Sequence, residues 1–256
     1  MLPGPTDGSS FQSPDVDRNS LPCLMGLFSR CNNLNLIFLT EDATKIERLN
    51  IPGPEGVIDA LLEWNPEWTP RRLAIVCHPH PLYGGTMHNK VVFRAAKAAT
   101  YLGIPALRFN FRGVGHSEGK HADGIGERDD ARAVLDYLAG RFPRIPVVMM
   151  GFSFGSVVAL AVGSTDERVD SLVGIGLPVN SADFHFLGEI RKPKLLVQGT
   201  EDQFGSRERV EKLFSSLKEP KRLRFVEDAD HFLTGRLHDL QLVIQEFLCD
   251  IVNPLQ

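Results

Sequence analysis

Two pentapeptides in this 256-residue chain set a serine between glycines, Gly115-His116-Ser117-Glu118-Gly119 and Gly151-Phe152-Ser153-Phe154-Gly155. A serine hydroxyl attacks a carbonyl carbon only when a neighbouring imidazole takes its proton and a carboxylate holds that imidazole in the right tautomer. The chemistry also needs a tight turn from strand to helix. Such a turn presents the serine oxygen at the end of a sheet and aims backbone N–H groups at the developing oxyanion. Ser153 has this context: the apolar run Val147-Val148-Met149-Met150 ends just before its pentapeptide, and Val157-Val158-Ala159-Leu160 opens a helical run just after it. Ser117 does not, because it lies well past the strand ending at Phe111 and is followed by residues 119–124, which have no apolar period. It reads as part of a turn packed beside the site.

The partners of Ser153 are expected just beyond the C-terminal ends of later strands, where open α/β sheets carry their functional groups. Asp202 follows Leu195-Leu196-Val197-Gln198-Gly199, and His231 follows Leu223-Arg224-Phe225-Val226 ahead of the last helix. They are assigned as orienting acid and base. Glu201 competes for the acid's role, and either acid has the alternative of merely shaping the turn through Gln203-Phe204-Gly205. Asp228 and Asp230 are less well placed, since near neighbours in a loop do not readily aim at His231's ring nitrogen. For the oxyanion, one donor is Phe154 N–H. The other is sought in the loop after Leu73–His78, where Pro79 and Pro81 have no N–H and His80 or Tyr83 remains.

The same loop contains His78-Pro79-His80, with His88 nearby, a pattern that resembles a metal pair. Residues 71–107 contain no Asp or Glu, so a structural role is favoured and no metal is expected. Phe152, Phe184, Phe186 and Phe204, with Phe232, fall in or near loops at the same end. They suit an apolar acyl pocket, with core packing as the alternative. Whether Arg112 and His116 touch substrate or brace their loop stays open.

The elements that must position these residues are read from periodicity. Two strands near Lys45–Ile51 and Gly56–Trp64 meet through a turn at Pro52 and Gly53. Strands at Leu73–His78, Ala106–Phe111, Val147–Met150, Leu172–Gly176, Lys194–Val197 and Leu223–Val226 then alternate with helices near Asn89–Leu102, Arg128–Arg141, Gly155–Val162, Arg207–Leu217 and Leu233–Ile251. That alternation marks a mostly parallel sheet covered on both faces. One α/β domain over residues 44–256 is expected. Residues 1–43, rich in Pro, Ser, Asn and Asp, are expected to be a poorly ordered extension without a signal peptide.

A formal net charge of −4 with interspersed signs offers no basic stripe for nucleic acid. No run approaches the roughly 18 to 20 apolar residues of a membrane span. Cys23, Cys31, Cys77 and Cys249 show no paired spacing, so reduced thiols in a cytoplasmic protein are expected.

These residues carry a resemblance. From about Lys45 to the end, the chain resembles the small bacterial α/β-hydrolases related to dienelactone hydrolase and to serine esterases. The motifs are His78-Pro79-His80-Pro81 with Gly84-Gly85-Thr86-Met87, Arg108 to Gly115, Gly151 to Gly155, Gln198-Gly199 with Asp202, and Asp230-His231-Phe232. The resemblance implies an α/β-hydrolase fold with a mostly parallel eight-stranded sheet flanked by helices. The stretch from Asn180 to Lys192 is too short for a large cap domain. Dienelactone hydrolase itself has a cysteine nucleophile, and the serine here favours ordinary ester hydrolysis without a cofactor. The expected partner is a small-molecule ester of short to medium chain length. Peptidase, amide and thioester hydrolysis are the competing enzyme readings, and a non-catalytic binding module is the competitor of another kind. The scaffold is a poor guide to substrate.

Overall fold

The computed structural model describes residues 44–252, so the extension expected over residues 1–43 lies outside the described residues. The strands are β1 Lys45–Gly53, β2 Gly56–Trp64, β3 Leu73–Cys77, β4 Ala106–Phe109, β5 Val147–Phe152, β6 Val169–Ile175, β7 Lys194–Gly199 and β8 Lys221–Val226. The helices are α1 Lys90–Thr100, α2 Ile125–Arg141, α3 Phe154–Thr165, α4 Arg207–Ser216 and α5 Leu237–Val252. The strands form one eight-stranded sheet in the order β1-β2-β4-β3-β5-β6-β7-β8. Only the pairs β1/β2 and β2/β4 are antiparallel.

The central strands are apolar throughout because both of their faces are covered. In β3 and β5 every residue is buried, and alternate side chains enter different cores. Ile75 and Met149 join Ala131, Leu135, Val158 and Leu160 of α2 and α3 on one face. Val76 and Met150 join Val91, Ala95, Leu240 and Ile244 of α1 and α5 on the other. Loops at the C-terminal ends of β3, β5, β7 and β8 therefore share one edge. Between β6 and β7 the only regular element is a short 3-10 turn at His185–Leu187, so no large cap intervenes among the described residues. No described helix is long and apolar enough to cross a membrane.

The departures from the expected elements are local. β1 runs on through Pro52, and Gly53 pairs with Gly56, so the turn is Pro54-Glu55 instead of Pro52-Gly53. Pro52 is tolerated because β1 is an edge strand. Helix α2 starts at Ile125, a few residues earlier than expected, because the Glu127 carboxylate accepts from Gly124 N–H at 2.7 Å and from Ala122 N–H at 2.9 Å. Helix α5 starts later than Leu233, whose φ of 55°, with 74° at Gly235, is left-handed and incompatible with a right-handed helix. Cys77 is a buried free thiol.

Ser117 proves to be a fastening point. Its Oγ donates to the Asn110 carbonyl at 2.7 Å and accepts from Asp59 N–H at 2.9 Å. Next to it, the Glu118 carboxylate accepts from Val57 N–H at 2.7 Å. The turn thus extends the hydrogen bonding of β2. Ser117→Ala leaves the buried Asp59 N–H without its acceptor and should lower unfolding free energy by roughly 1–3 kcal/mol. Urea denaturation measures this, and an unchanged midpoint would contradict the fastening role.

Candidate active site

Ser153 occupies the junction of β5 and α3 with φ 54° and ψ −122°, a conformation that costs a non-glycine residue about 1–3 kcal/mol. The flanking glycines make the junction possible. A Cβ on Gly151 would lie 2.1 Å from the Gly155 carbonyl oxygen, and one on Gly155 would lie 2.4 Å from the carbonyl oxygens of both Cys77 and His78. The helix therefore starts against the backbone of β3 with no room for a side chain. Ser153 N–H donates to Ile175 O at 2.9 Å, and Ser156 N–H and Oγ donate to Ser153 O at 2.8 and 2.6 Å. These bonds hold the strained residue from both sides.

His231 Nε2 lies 2.9 Å from Ser153 Oγ, and its Nδ1 lies 2.8 Å from Asp202 Oδ2. Asp202 follows β7 and His231 follows β8. The two loops cross closely because Gly199 has no side chain; a Cβ there would lie 2.3 Å from Ala229 O. Both Asp202 and His231 are buried. Asp202 is served only by donors: Gln198 Nε2 reaches Oδ2 at 2.8 Å, and Phe204 N–H reaches Oδ1 at 2.8 Å. A carboxylate with that surround accepts the Nδ1 proton of His231, which leaves the Nε2 lone pair facing the serine hydroxyl.

The competing acids are engaged elsewhere. The Asp230 carboxylate accepts from Thr234 N–H and Oγ1, each at 2.8 Å. The Thr234 N–H bond holds its pKa below the usual range. Asp228 faces Arg236, and Glu201 is exposed, with its N–H donating to Ala229 O.

On the oxyanion side, Phe154 is the first residue of α3, where backbone N–H groups have no intrahelical acceptor. Tyr83 N–H donates to the His80 carbonyl at 3.1 Å, which removes Tyr83 from the expected donors and leaves His80. The His80 ring stacks 4.8 Å from that of Phe154. His78 is structural: buried, with Nδ1 2.6 Å from Pro79 O and Nε2 accepting from Phe111 N–H at 3.0 Å. Burial pushes its pKa down to about 4. With both nitrogens engaged, the neutral ring ties the loop to the end of β4 and has no lone pair for a metal. Arg112 likewise braces its loop, through Asp130 at 2.8 to 3.1 Å.

The phenylalanines divide. Phe204 and Phe186 are partly exposed, with Phe204 edge-on to the His231 ring at 4.5 Å. Phe152 and Phe184 are buried, and this corrects their expected place in an open pocket. Phe152 instead lies 5.0 Å beneath the His231 ring, and Phe184 packs in the core. Gln198 was assigned no role from sequence. A lone amide inside the apolar strand Leu195 to Gly199 was the available signal.

A model of the α/β hydrolase domain matches residues 83–242, so the chain belongs to the α/β-hydrolase family. An uncharacterized protein of Rickettsia prowazekii is 35% identical over 78% of this chain and 87% of its own length. An α/β serine hydrolase homologue from Coxiella burnetii is 36% identical, with a TM-score of 0.75, covering 79% of this chain and 97% of that one. An α/β serine hydrolase without a lid, from Xanthomonas campestris, is 33% identical with a TM-score of 0.75, over 87% of this chain and 100% of that one. The family is that of the α/β serine hydrolases.

Glycine adopts the Ser153 backbone conformation without steric cost. Ser153→Gly should therefore be more stable than Ser153→Ala by about 1 kcal/mol after allowing for glycine's greater unfolded-state entropy. Thermal or chemical denaturation of the two variants measures the difference. An alanine variant as stable as the glycine variant would mean that the turn is not strained.

Proposed function

We propose that the chain is a carboxylesterase acting on short- to medium-chain esters of small molecules through an acyl-enzyme on Ser153. The observation that carries this reading is the continuous relay of Ser153 Oγ, His231 Nε2, His231 Nδ1 and Asp202 Oδ2, with steps of 2.9 and 2.8 Å. It starts from a serine held at the end of the sheet.

Ser153 Oγ attacks the ester carbonyl carbon as His231 Nε2 takes its proton. The carbonyl oxygen becomes an oxyanion that accepts from Phe154 N–H and His80 N–H. The carbon–oxygen bond to the alcohol then breaks, and His231 returns the proton to the departing oxygen. Water enters, gives a proton to the same nitrogen and bonds to the acyl carbon; the carbon–Oγ bond then breaks, and His231 returns the proton to Ser153 Oγ as the acid leaves. Asp202 stabilises the imidazolium in both halves, and Gln198 and the Phe204 N–H keep Asp202 aimed. No metal or organic cofactor takes part.

The absence of a large cap among the described residues supports small open-site esters over substrates that need enclosure.

Hydrolysis of p-nitrophenyl acetate, butyrate, octanoate and palmitate by wild type, Ser153→Ala and Ser117→Ala tests this. Turnover should fall by at least about 10³-fold in Ser153→Ala and persist in Ser117→Ala, with shorter chains preferred to palmitate. A folded wild type inactive on all four esters, or a Ser153→Ala variant that keeps its rate, overturns the reading.

A further inference from the structure

Beside the catalytic relay lies a cleft of about 450 Å³, formed where the start of α1 faces the segment leading into α5. That volume is in the range of small-molecule sites, which commonly pair apolar walls with a few polar groups that fix orientation. The side at α1 carries Thr86, His88, Asn89, Lys90 and Val91, and the side leading into α5 carries Phe232, Thr234, Gly235 and Leu237. No carboxylate lines the cleft, and Lys90 has no ion pair among the described residues. The cleft thus combines a lysine that has no ion pair with the apolar side chains of Val91, Phe232 and Leu237.

Its position relative to the chemistry is set by Phe232. This residue follows His231 directly, its ring lies 5.3 Å from the imidazole, and it forms part of the cleft wall. In acyl transfer by a serine, the imidazole that takes the serine proton delivers it to the leaving oxygen, so the leaving group must lie on the histidine's side. The cleft adjoins the imidazole through Phe232.

We infer that this cleft is the subsite for the alcohol portion of the ester, and that it selects alcohols bearing an anionic group, with Lys90 as the specificity-determining residue. The inference rests on the esterase reading and specifies its substrate: an ester whose leaving group combines an apolar body, set against Phe232, Val91 and Leu237, with a carboxylate or phosphate facing Lys90. Lys90 acts on binding and orientation of the leaving group and takes no proton in the reaction.

The test compares two acetate esters of similar shape, 4-acetoxybenzoate, with an anionic leaving group, and 4-acetoxybenzamide, with a neutral one. The quantity read is the ratio of their kcat/KM values, in wild type, Lys90→Gln and Lys90→Glu. Comparing ratios between proteins cancels the intrinsic reactivities of the esters. The ratio should fall about threefold in Lys90→Gln and about tenfold in Lys90→Glu, mainly through KM for the anionic ester, as expected for a solvent-accessible charge pair and its reversal. In wild type it should also fall as salt rises from low to physiological ionic strength. A ratio unchanged in both Lys90 variants, with both esters hydrolysed, overturns the subsite while leaving the esterase reading intact. A wild type that hydrolyses neither ester but turns over p-nitrophenyl acetate overturns the subsite alone, and one inactive on the p-nitrophenyl esters as well overturns both. A phosphate-bearing leaving group, tested as 4-acetoxyphenyl phosphate against 4-acetoxybenzamide, should show the same loss in Lys90→Gln and Lys90→Glu.

Discussion

The site depends on a backbone contact. Helix α3 begins so close to β3 that neither Gly151 nor Gly155 has space for a Cβ, the nearest atoms being main-chain carbonyls that have nowhere to move. That approach forces the chain to reverse within one residue, and Ser153 absorbs the reversal in a left-handed conformation. The strain, about 1–3 kcal/mol, is offset by the fully buried strand β5 that leads into it and by the hydrogen bonds of Ser153 N–H and Ser153 O. Because the surroundings fix the backbone, the serine oxygen has a fixed place relative to the loops after β7 and β8. A looser turn would place the same hydroxyl without aiming it.

The second requirement is electrostatic. A buried carboxylate is costly unless donors satisfy it, and Asp202 has donors on both oxygens besides His231. Gln198 is central here: its carbonyl accepts from Leu177 N–H while its amide serves both Asp202 and Gly205 O. One side chain thereby ties the ends of β6 and β7 to the acid. Around the imidazole, Phe152, Phe204 and Phe232 limit the ring's freedom. The other buried histidine, His78, is kept neutral by burial and serves as a strut. Two histidines close to the same sheet edge thus have opposite tasks because their hydrogen-bond partners differ.

Much of this was legible in the sequence. Fully covered strands have to be apolar throughout, so β3 and β5 stood out, and the two G-x-S-x-G segments were separable because only one joins a strand to a helix. Asp202 and His231 followed from their places after strands. Less was legible where tertiary geometry decides. Nothing local distinguishes Phe152, which lies beneath His231, from Phe204, which borders it in partial exposure; both are phenylalanines in or near loops. Tyr83 and His80 were equal candidates until the turn hydrogen bond between them consumed one N–H. The start of α2 depended on a glutamate reaching back to cap Gly124, and the start of α5 on left-handed residues that periodicity does not register. The cleft at Lys90 joins segments more than 140 residues apart and has no sequence signature.

The most direct test of the central claim, that the strained turn makes Ser153 a relay-activated nucleophile, is covalent capture. Wild type, His231→Ala and Ser117→Ala would be treated with a fluorophosphonate at neutral pH and mapped by peptide mass spectrometry. The account predicts a single adduct on the peptide containing Ser153 in wild type and Ser117→Ala, forming far more slowly in His231→Ala. An adduct on another residue, or labelling of Ser153 at the same rate without His231, would contradict it.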